Sequence, residues 1–416
     1  MLGSGTLGDP YIIQDANDLQ DMNLDLTAYY ELGNDIDASE TLTWNGGLGF
    51  EPVGFGSSTE FTGTLDGNNY IIRGLYINRP DEYYVGLFWI LEGDVSRVNL
   101  RDVYIRGDED CGALAGDAGD CNISECSATG TIIALGGYGG GLLGYVYTSR
   151  YSVDSPHISD CYFIGSVYEN DEWTAGGLVG HVSGEPLYKV HFDRCFSIVE
   201  ILSDTEWSNQ GGIAADGTNF EMSQCFTIGT TFTSANAVYQ AGGIAMVIRD
   251  SSLLNCFSRV DCLDSNMEGY FGGLSWTITD SFVTNCYSTG RVAEGGADRI
   301  GGLFGYKDIE TVIASSFWDT ETSGTLISDG GVGHNTFWMK TQANFEAAGW
   351  DFTSIWFIDP SWNDGYPCFQ WFRDNVLAGD YDTDTMTELT SRGLIPAISP
   401  TVTAPTVTTL PVTGVS

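Results

Sequence analysis

The sequence predicts an all-β fold: a right-handed parallel β-helix with coils of about 30 residues, capped ends and an extended C-terminal tail. The first observation behind this prediction is a GGLxG pattern that returns along the chain at about that interval. Its full and weakened copies begin at Gly140, Gly176, Gly211, Gly242, Gly272 and Gly301. A fixed repeat of this length is typical of proteins in which each repeat buries its apolar side against the next.

A second motif, an apolar residue followed three positions later by cysteine, repeats in phase with the first. The steps between its cysteines are 35, 34, 30, 31 and 30 residues. These cysteines are Cys126, Cys161, Cys195, Cys225, Cys256 and Cys286. Stacked coils place equivalent side chains about 4.8 Å apart, so we expect an internal ladder of cysteines. Each repeat reads as about three short strands, with the glycine pair at a tight corner.

The ladder cysteines are expected to stay reduced. Their Cβ atoms would run parallel and lie farther apart than the roughly 3.8 Å that a disulfide prefers. Two pairs that lie off or near the ladder are candidates for disulfides, namely Cys111 with Cys121 and Cys256 with Cys262.

The repeats divide the chain into four regions. We assign residues 1–50 to an N-terminal cap, 51–320 to the β-helix, 321–372 to a Trp-rich C-terminal cap and 373–416 to a Thr/Pro-rich tail that acts as an anchor. Caps are needed because the open end of a solenoid is an unpaired sheet edge.

Both ends carry local signals. In the N-terminal cap we predict a strand at 11–13 and then a helix that begins at Asp15 or Asn17, with Leu19 and Met22 on its inner face. The C-terminal cap contains Trp338, Trp350, Trp356, Trp362 and Trp371. We expect these rings to pack the cap, with a carbohydrate-stacking platform as the alternative. The tail cannot build its own core and is expected to dock on a neighbouring subunit.

The repeat motif resembles a known family. A GGLVG pattern followed by an NCY-type strand, as in residues 285–290, is similar to the GLUG-motif repeat proteins. Matching features extend from the GTLGDP segment at residue 5 to the Trp-rich region, so the resemblance covers roughly residues 1–372. It implies an adhesin-like or virion-associated right-handed β-helix. It does not imply one molecular role, because such proteins serve attachment, display and scaffolding.

The charge narrows the function classes. The net formal charge is −40, with 3 lysines among the 16 basic residues. A general nucleic-acid binder needs a basic surface, so this class is excluded. Two interpretations stay open: an ordinary acidic extracellular solenoid, or adaptation to high salt in a halophilic host. The sequence contains no apolar run long enough to predict a membrane span.

Three functions remain from the sequence. The first residues show no secretory signal, so we predict a structural surface protein of a virus particle: a capsid turret, decoration or fibre subunit, or a tail-fibre component. Its partners would be other virion proteins through the tail, further copies of itself, and a host surface glycan or glycoprotein. The alternatives are a secreted cell-surface adhesin and a polysaccharide-degrading β-helix enzyme. We predict no enzyme and no cofactor.

Candidate sites are few. GxSxG, Walker and Rossmann patterns are not found, and no catalytic residue is assigned. The densest acidic clusters are residues 108–110 and 117–120, which we interpret as solvated loops, with cation binding or a hydrolase site as alternatives. His181 and His191 are expected on a surface loop. Asp380, Asp382 and Asp384 begin like a calcium loop, but Thr385 and Ser391 depart from that pattern. They form a weak Ca²⁺ candidate.

Overall fold

The computed structural model describes residues 1–56, 60–149, 152, 154–170, 174–203, 208–233, 238–262, 269–292 and 300–397. The chain forms two compact units, residues 1–350 and the residues from Asp351 onward. The first unit is a parallel β-solenoid with coils about 30 residues apart, which confirms the predicted fold class. The boundary between the units falls inside the predicted C-terminal cap.

Four parallel sheets run along the solenoid, and we name them A to D in the order in which a coil visits them. The strands of sheet A are Tyr11–Ile13, Tyr29–Leu32, Thr64–Asp66, Asp94–Ser96, Asn122–Ser124, His157–Ser159, Val190–Asp193, Phe220–Ser223, Ser252–Leu254, Phe282–Thr284 and Val312–Ala314. Those of sheet B are Ile36–Asp37, Ile71–Arg73, Tyr76–Arg79, Asn99–Gly107, Ser127–Ala134, Tyr162–Glu169, Phe196–Ser203, Phe226–Thr233, Phe257–Cys262, Tyr287–Ser288, Phe317–Asp319 and Val332–His334.

Sheets C and D complete each coil. The strands of sheet C are Tyr138–Gly140, Thr174–Gly176, Ser208–Gly211, Val238–Gly242, Tyr270–Gly272 and Ile300–Gly301. Those of sheet D are Phe88–Leu91, Ala115–Gly119, Leu143–Tyr147, Val179–Ser183, Ala214–Thr218, Ala245–Arg249, Ser275–Thr279 and Phe304–Lys307. The regular coils therefore hold four strands. The prediction of about three was wrong, because a corner of two residues separates sheets C and D.

The glycine pair forms this corner. A Cβ on the second glycine, as at Gly212, would fall far inside the van der Waals distance of the Gly243 carbonyl oxygen in the next coil. The same atom would lie 2.6 Å from the hydroxyl oxygen of Thr227. The leucine or isoleucine after each pair is fully buried in the solenoid core. The predicted tight corner is confirmed, and its physical cause is close approach of the backbones.

The cysteine ladder is also confirmed. All six members are buried and reduced, and the backbone N–H of Cys126 donates to Cys161 Sγ at 3.4 Å. The ladder lies at the corner between sheets A and B rather than within a strand. The residue before each cysteine, such as Glu125 with φ 53°, has left-handed backbone geometry. Ser316 continues the ladder, since its Oγ accepts a hydrogen bond from the N–H of Cys286 at 3.1 Å.

The aromatic residues beside the cysteines stack on the other side of sheet B. Phe196, Phe226 and Phe257 have ring centroids 4.8 and 4.9 Å apart with interplanar angles of 3° and 4°. Tyr162 and Tyr287 extend the stack at its two ends. All five rings are buried.

The thiols should be chemically silent in the folded protein. Cys111, Cys121, Cys256 and Cys262 are all reduced, so neither candidate disulfide is present. Burial raises the pKa of thiols such as Cys126 well above the usual range. We expect Ellman's reagent to modify none of the ten cysteines before unfolding and all ten in guanidinium without reductant. Fewer than ten after unfolding would reveal a disulfide and contradict the reduced ladder.

The N-terminal cap matches its prediction. After the first strand, an α-helix spans Ala16–Gln20 and a 3₁₀ turn spans Asp21–Leu24. The Asp15 carboxylate caps the helix, and Leu19 and Met22 are fully buried. A further 3₁₀ segment spans Ser39–Gly47. The first strand already pairs in sheet A, so the cap is continuous with the solenoid.

At the other end the first unit closes with the α-helices Thr336–Met339 and Gln342–Ala347. The second unit contains the antiparallel strands Trp356–Phe357 and Cys368–Phe369, a 3₁₀ turn at Asn363–Gly365, and the α-helices Gln370–Ala378 and Thr383–Ser391. Trp350, Trp356 and Trp362 are buried, as expected for rings that pack a cap. The two last helices lie where we predicted the tail to begin, so that boundary was wrong. Residues 398–416 lie outside the described residues.

Candidate binding groove

Two rows of outward side chains face each other where sheets C and D meet. The row on the sheet C side consists of Tyr84, Asp110, Tyr138, Thr174, Asn209, Gln240 and Tyr270. The row on sheet D consists of Asp117, Tyr145, His181, Asp216, Val247, Thr277 and Tyr306. Members of the two rows meet where Asp110 shares a hydrogen bond with Asp117 and where Tyr138 packs on Tyr145 and His181. The rows therefore converge, and we call the surface between them the groove.

A pair of carboxyl groups lies near one end of the groove. Asp110 and Asp117 are 7% and 8% exposed. They share a side-chain hydrogen bond, and Asp110 Oδ1 also accepts from the backbone N–H of Tyr138 at 3.1 Å. The Oδ1 atom of Asp117 is buried and has no hydrogen-bond partner among the described residues. Two carboxylates this close cannot both ionise without a large electrostatic cost.

The pKa values of the pair follow from this arrangement. Burial raises the pKa of Asp110 to about 6. Burial and the adjacent charge of Asp110 raise that of Asp117 to about 9. The charge of Glu109 adds to both shifts. At neutral pH the pair therefore shares one proton, which Asp117 holds and donates to the Asp110 carboxylate.

The shared proton gives a test by pH. Between the ordinary aspartate pKa of about 4 and the folded value of about 9, only the folded state keeps the proton of Asp117. The free energy of unfolding therefore falls as pH rises through this window. The Asp117→Asn variant has no such proton to lose. We therefore expect its free energy of unfolding, relative to that of the natural chain, to increase with pH by up to about 1.4 kcal/mol per pH unit.

The measurement is urea unfolding at pH 4, 6 and 8. The control is Asp81→Asn, which changes an exposed carboxylate in the same way. If the stability difference between the Asp117→Asn variant and the natural chain is the same at all three pH values, the shared proton is refuted.

Aromatic rings surround the acid pair. Tyr138 stacks on His181 with ring centroids 4.6 Å apart and approaches Tyr145 at 5.7 Å. Tyr145 in turn lies 5.5 Å from Tyr147. On the preceding coil, Tyr84 lies 5.8 Å from Trp89. The carboxyl pair is thus enclosed by rings from several coils.

The groove continues past the acid pair. Asp216 follows His181 in the sheet D row and forms an ion pair with Arg249 at 2.7 Å. At the far end, Tyr270 and Trp276 lie 4.7 Å apart, and Tyr306 packs against the same cluster. Aromatic residues therefore stand at both ends, with mainly polar side chains and Val247 between them. A surface of this composition can hold the faces of a ligand and hydrogen-bond its edges.

Several sequence expectations change here. We interpreted residues 108–110 and 117–120 as solvated loops. For Asp110 and Asp117 this was wrong, because both side chains are buried. Their strand positions place them in the two rows of the groove. His181 lies in sheet D and stacks on Tyr138 rather than lying on a loop. His191 lies in sheet A and stacks on His157 at 4.5 Å.

Two groups of carboxylates are candidate cation sites. One was predicted from the sequence, and the other is found in the structure. In the second unit Asp382 caps the last helix, accepting from the N–H of Thr385 at 2.9 Å, and Asp384 lies in its first turn. The Ca²⁺ candidate at Asp380, Asp382 and Asp384 stays a prediction. Within the described part of the chain, the carboxylates grouped closely enough to share one ion are Asp280, Asp308 and Glu310. Sequence reasoning missed this group because it spans two coils.

Sequence reasoning also missed the groove. Its aromatic members, such as Tyr138, Tyr145 and Tyr270, stand a few residues before or after the glycine pair, but the residue type at these positions varies from coil to coil. The available signal was the position relative to the glycine pair rather than residue identity.

The fold and the two rows define a parallel β-solenoid whose axial groove carries a carboxyl pair and aromatic rings. No protein-family model matches the chain. A structure named IgA1 protease is similar in fold, with a TM-score of 0.50 and 18% identity over 82% of this chain and 24% of that one. Among the described residues, no helix is long and apolar enough to cross a membrane.

Several curated proteins are similar in sequence, and two of them show the range of the match. Halomucin of Haloquadratum walsbyi is 38% identical over 160 residues, which is 37% of this chain. A protein of Evansella cellulosilytica that is named as a Gly-rich membrane protein is 28% identical over 432 residues, which is 94% of this chain. The aligned part spans 2% of halomucin and 48% of the Evansella protein.

Proposed function

We propose that this protein is a non-enzymatic, adhesin-like surface protein whose groove binds an extended polymer outside the cell. The observation that carries the proposal is the continuous double row of side chains between sheets C and D. The similarity to halomucin and to a protein named as a Gly-rich membrane protein supports display at a surface. Extracellular placement is also compatible with the acidic composition.

The length of the groove favours a polymer over a small molecule. Coils repeat about every 4.8 Å, so the six steps from Tyr84 to Tyr270 span roughly 29 Å. Along this length the groove presents stacking rings at both ends and amide, hydroxyl and carboxylate groups between them. Tyrosine and tryptophan combine an apolar face with a polar tip, which suits the alternating apolar and hydroxyl surfaces of a polysaccharide.

The geometry of the acid pair favours binding over glycoside hydrolysis. The carboxyl groups of retaining glycosidases stand about 5 Å apart, and those of inverting enzymes stand farther apart. Asp110 and Asp117 instead touch through a hydrogen bond. Turnover of any polysaccharide that is abolished in Asp117→Asn would contradict the non-enzymatic proposal.

A binding panel tests the proposal. The full chain is immobilised and titrated with soluble neutral, acidic and amine-bearing polysaccharides. We expect at least one polymer to bind, and Tyr138→Ala and Tyr306→Ala, at distant points of the groove, each to weaken that binding at least tenfold. Phe282→Ala is the matched control, because this ring is 60% exposed on sheet A. Equal losses in all three variants would refute the groove.

The particular surface is a finer proposal. The sequence-based hypothesis places the protein on a virus particle, joined to other virion proteins through its tail, in several copies, and contacting a host glycan. Mass spectrometry of purified particles tests this role directly. If the protein is absent from purified particles but present on cells, the surface proposal stands and the virion role is refuted. The likeness to GLUG-motif proteins is compatible with both.

Adaptation to high salt is part of the same proposal. The net charge of −40 opposes folding through self-repulsion, which salt screens. The similarity to halomucin agrees with this interpretation. We expect the midpoint of thermal unfolding to rise strongly between 0.1 and about 2 M KCl. The control is a titration with a neutral osmolyte in place of KCl. The osmolyte should not reproduce a steep rise of the unfolding midpoint at low concentration. A salt-independent midpoint would contradict the adaptation.

A further inference from the structure

We propose that Asp110 and Asp117, with the rings around them, form a subsite for a hydrogen-bond-donating cation on the ligand, such as a primary ammonium or guanidinium group. The inference rests on the proposed function, because it assigns a ligand chemistry to one end of the groove. It concerns the carboxyl pair alone and not the rest of the groove.

The first support is an unused acceptor. Asp117 is only 8% exposed, yet its Oδ1 has no hydrogen-bond partner among the described residues. A buried carboxyl oxygen without a partner costs free energy, because it has lost water and gained nothing. A donor from a ligand would restore that hydrogen bond.

The second support is charge. Asp110 and Asp117 stand together, and the charge of Glu109 acts on both. The other titratable groups around the pair are Tyr84, Tyr138, Tyr145, Tyr147 and His181. Desolvation favours the neutral form of each tyrosine, as burial raises their pKa values. Two carboxyl groups in a wall of neutral rings attract a cation strongly and admit an anion poorly.

The third support is the ring wall itself. Cations bind over aromatic faces, and the attraction grows where water is excluded. Tyr84 on one side, and Tyr138 and Tyr145 on the other, flank the acid pair along the groove. An inorganic ion would gain little from rings, whereas an ammonium or guanidinium group gains from both rings and carboxylates.

The shared proton makes binding measurable. A cation that enters the pair replaces the proton that Asp117 donates to Asp110, and that proton leaves to solvent. Binding therefore releases up to one proton, and affinity should rise with pH between about 6 and 9. The rise can reach tenfold per pH unit while one proton is displaced.

The experiment is a calorimetric titration of the full chain with methylguanidinium chloride at pH 6, 7 and 8. This ion keeps its charge over that range, as guanidinium groups do. We expect binding that strengthens with pH and releases protons, seen as a heat that depends on the ionisation enthalpy of the buffer. Asp117→Asn should weaken binding at least tenfold and remove the pH dependence. Tetramethylammonium, which has no N–H donor, should bind more weakly.

The control variant is Glu125→Gln. It removes one exposed carboxylate at the corner between sheets A and B, outside the groove. If the control variant binds methylguanidinium with an affinity within twofold of the natural chain, the binding belongs to the subsite and is not general attraction to an acidic surface. Equal weakening in both variants would overturn the proposal.

Three other outcomes would also overturn it: no methylguanidinium binding, equal binding of tetramethylammonium, or displacement of methylguanidinium by millimolar Ca²⁺, which would indicate a metal site. If Asp117→Asn unfolds, the same titration of Asp110→Asn decides in its place. Failure of this proposal with continued binding of a neutral polysaccharide leaves the groove intact. Loss of polymer binding in Tyr306→Ala, far from the acid pair, tests the groove separately.

Discussion

Replacing Gly212 by alanine is expected to lower the free energy of unfolding by at least about 3 kcal/mol, or to leave no folded protein. The added Cβ would overlap the carbonyl oxygen of Gly243 and press on Thr227. Neither neighbour can yield easily, because the carbonyl belongs to the backbone of the next coil and Thr227 is fully buried. Gly212 has no left-handed backbone angle, so the whole effect would be steric.

The matched control is Gly8→Ala. A Cβ at Gly8 would meet no atom within 4 Å. This variant should change stability by no more than about 0.5 kcal/mol. Chemical unfolding, followed by circular dichroism, measures both variants. Similar stabilities for the two alanine variants would show that the glycine corner does not depend on close approach.

Phe226→Ala is expected to cost about 3–5 kcal/mol. This ring is fully buried and stacks between Phe196 and Phe257. Its removal deletes apolar burial and two stacked contacts, each worth about 0.5–1.5 kcal/mol beyond the buried area. The gap cannot close easily, because the flanking rings are held at the spacing of the coils.

Phe282→Ala is the control for this prediction as well. It removes the same side chain from an exposed site on sheet A. Its expected change in stability is about 0.5 kcal/mol or less. If Phe226→Ala lowered the free energy of unfolding no more than Phe282→Ala does, the aromatic stack would contribute little to the stability of the solenoid.

Much of the solenoid could be predicted because its repeats have packing causes. The glycine pair and Cys126 with its equivalents recur in sequence because each contacts its own copy in the next coil. The N-terminal helix could be placed from Asp15, a side chain that satisfies free N–H groups. The extra strand of each coil was missed, because the two-residue corner leaves no turn signal longer than the glycine pair.

The groove could not be predicted in the same way. Its residues face outward, so packing does not force them to repeat, and Asp110, Tyr138 and Thr174 occupy equivalent places with different chemistry. The closeness of Asp110 to Asp117 depends on where two sheets meet, which composition does not reveal. The helices at Gln370–Ala378 and Thr383–Ser391 were missed because each spans only nine residues, too few to show a sustained helical period of apolar positions.

We propose the corner between sheets C and D as the binding surface of the protein. Hydroxyl-radical footprinting of the full chain, with and without the polysaccharide that binds best in the panel, tests it most directly. We expect one protected stripe that includes Tyr84, Tyr138 and Tyr306, while Phe282 on sheet A keeps its reactivity. Protection of Phe282, with unchanged reactivity along the groove, would contradict it.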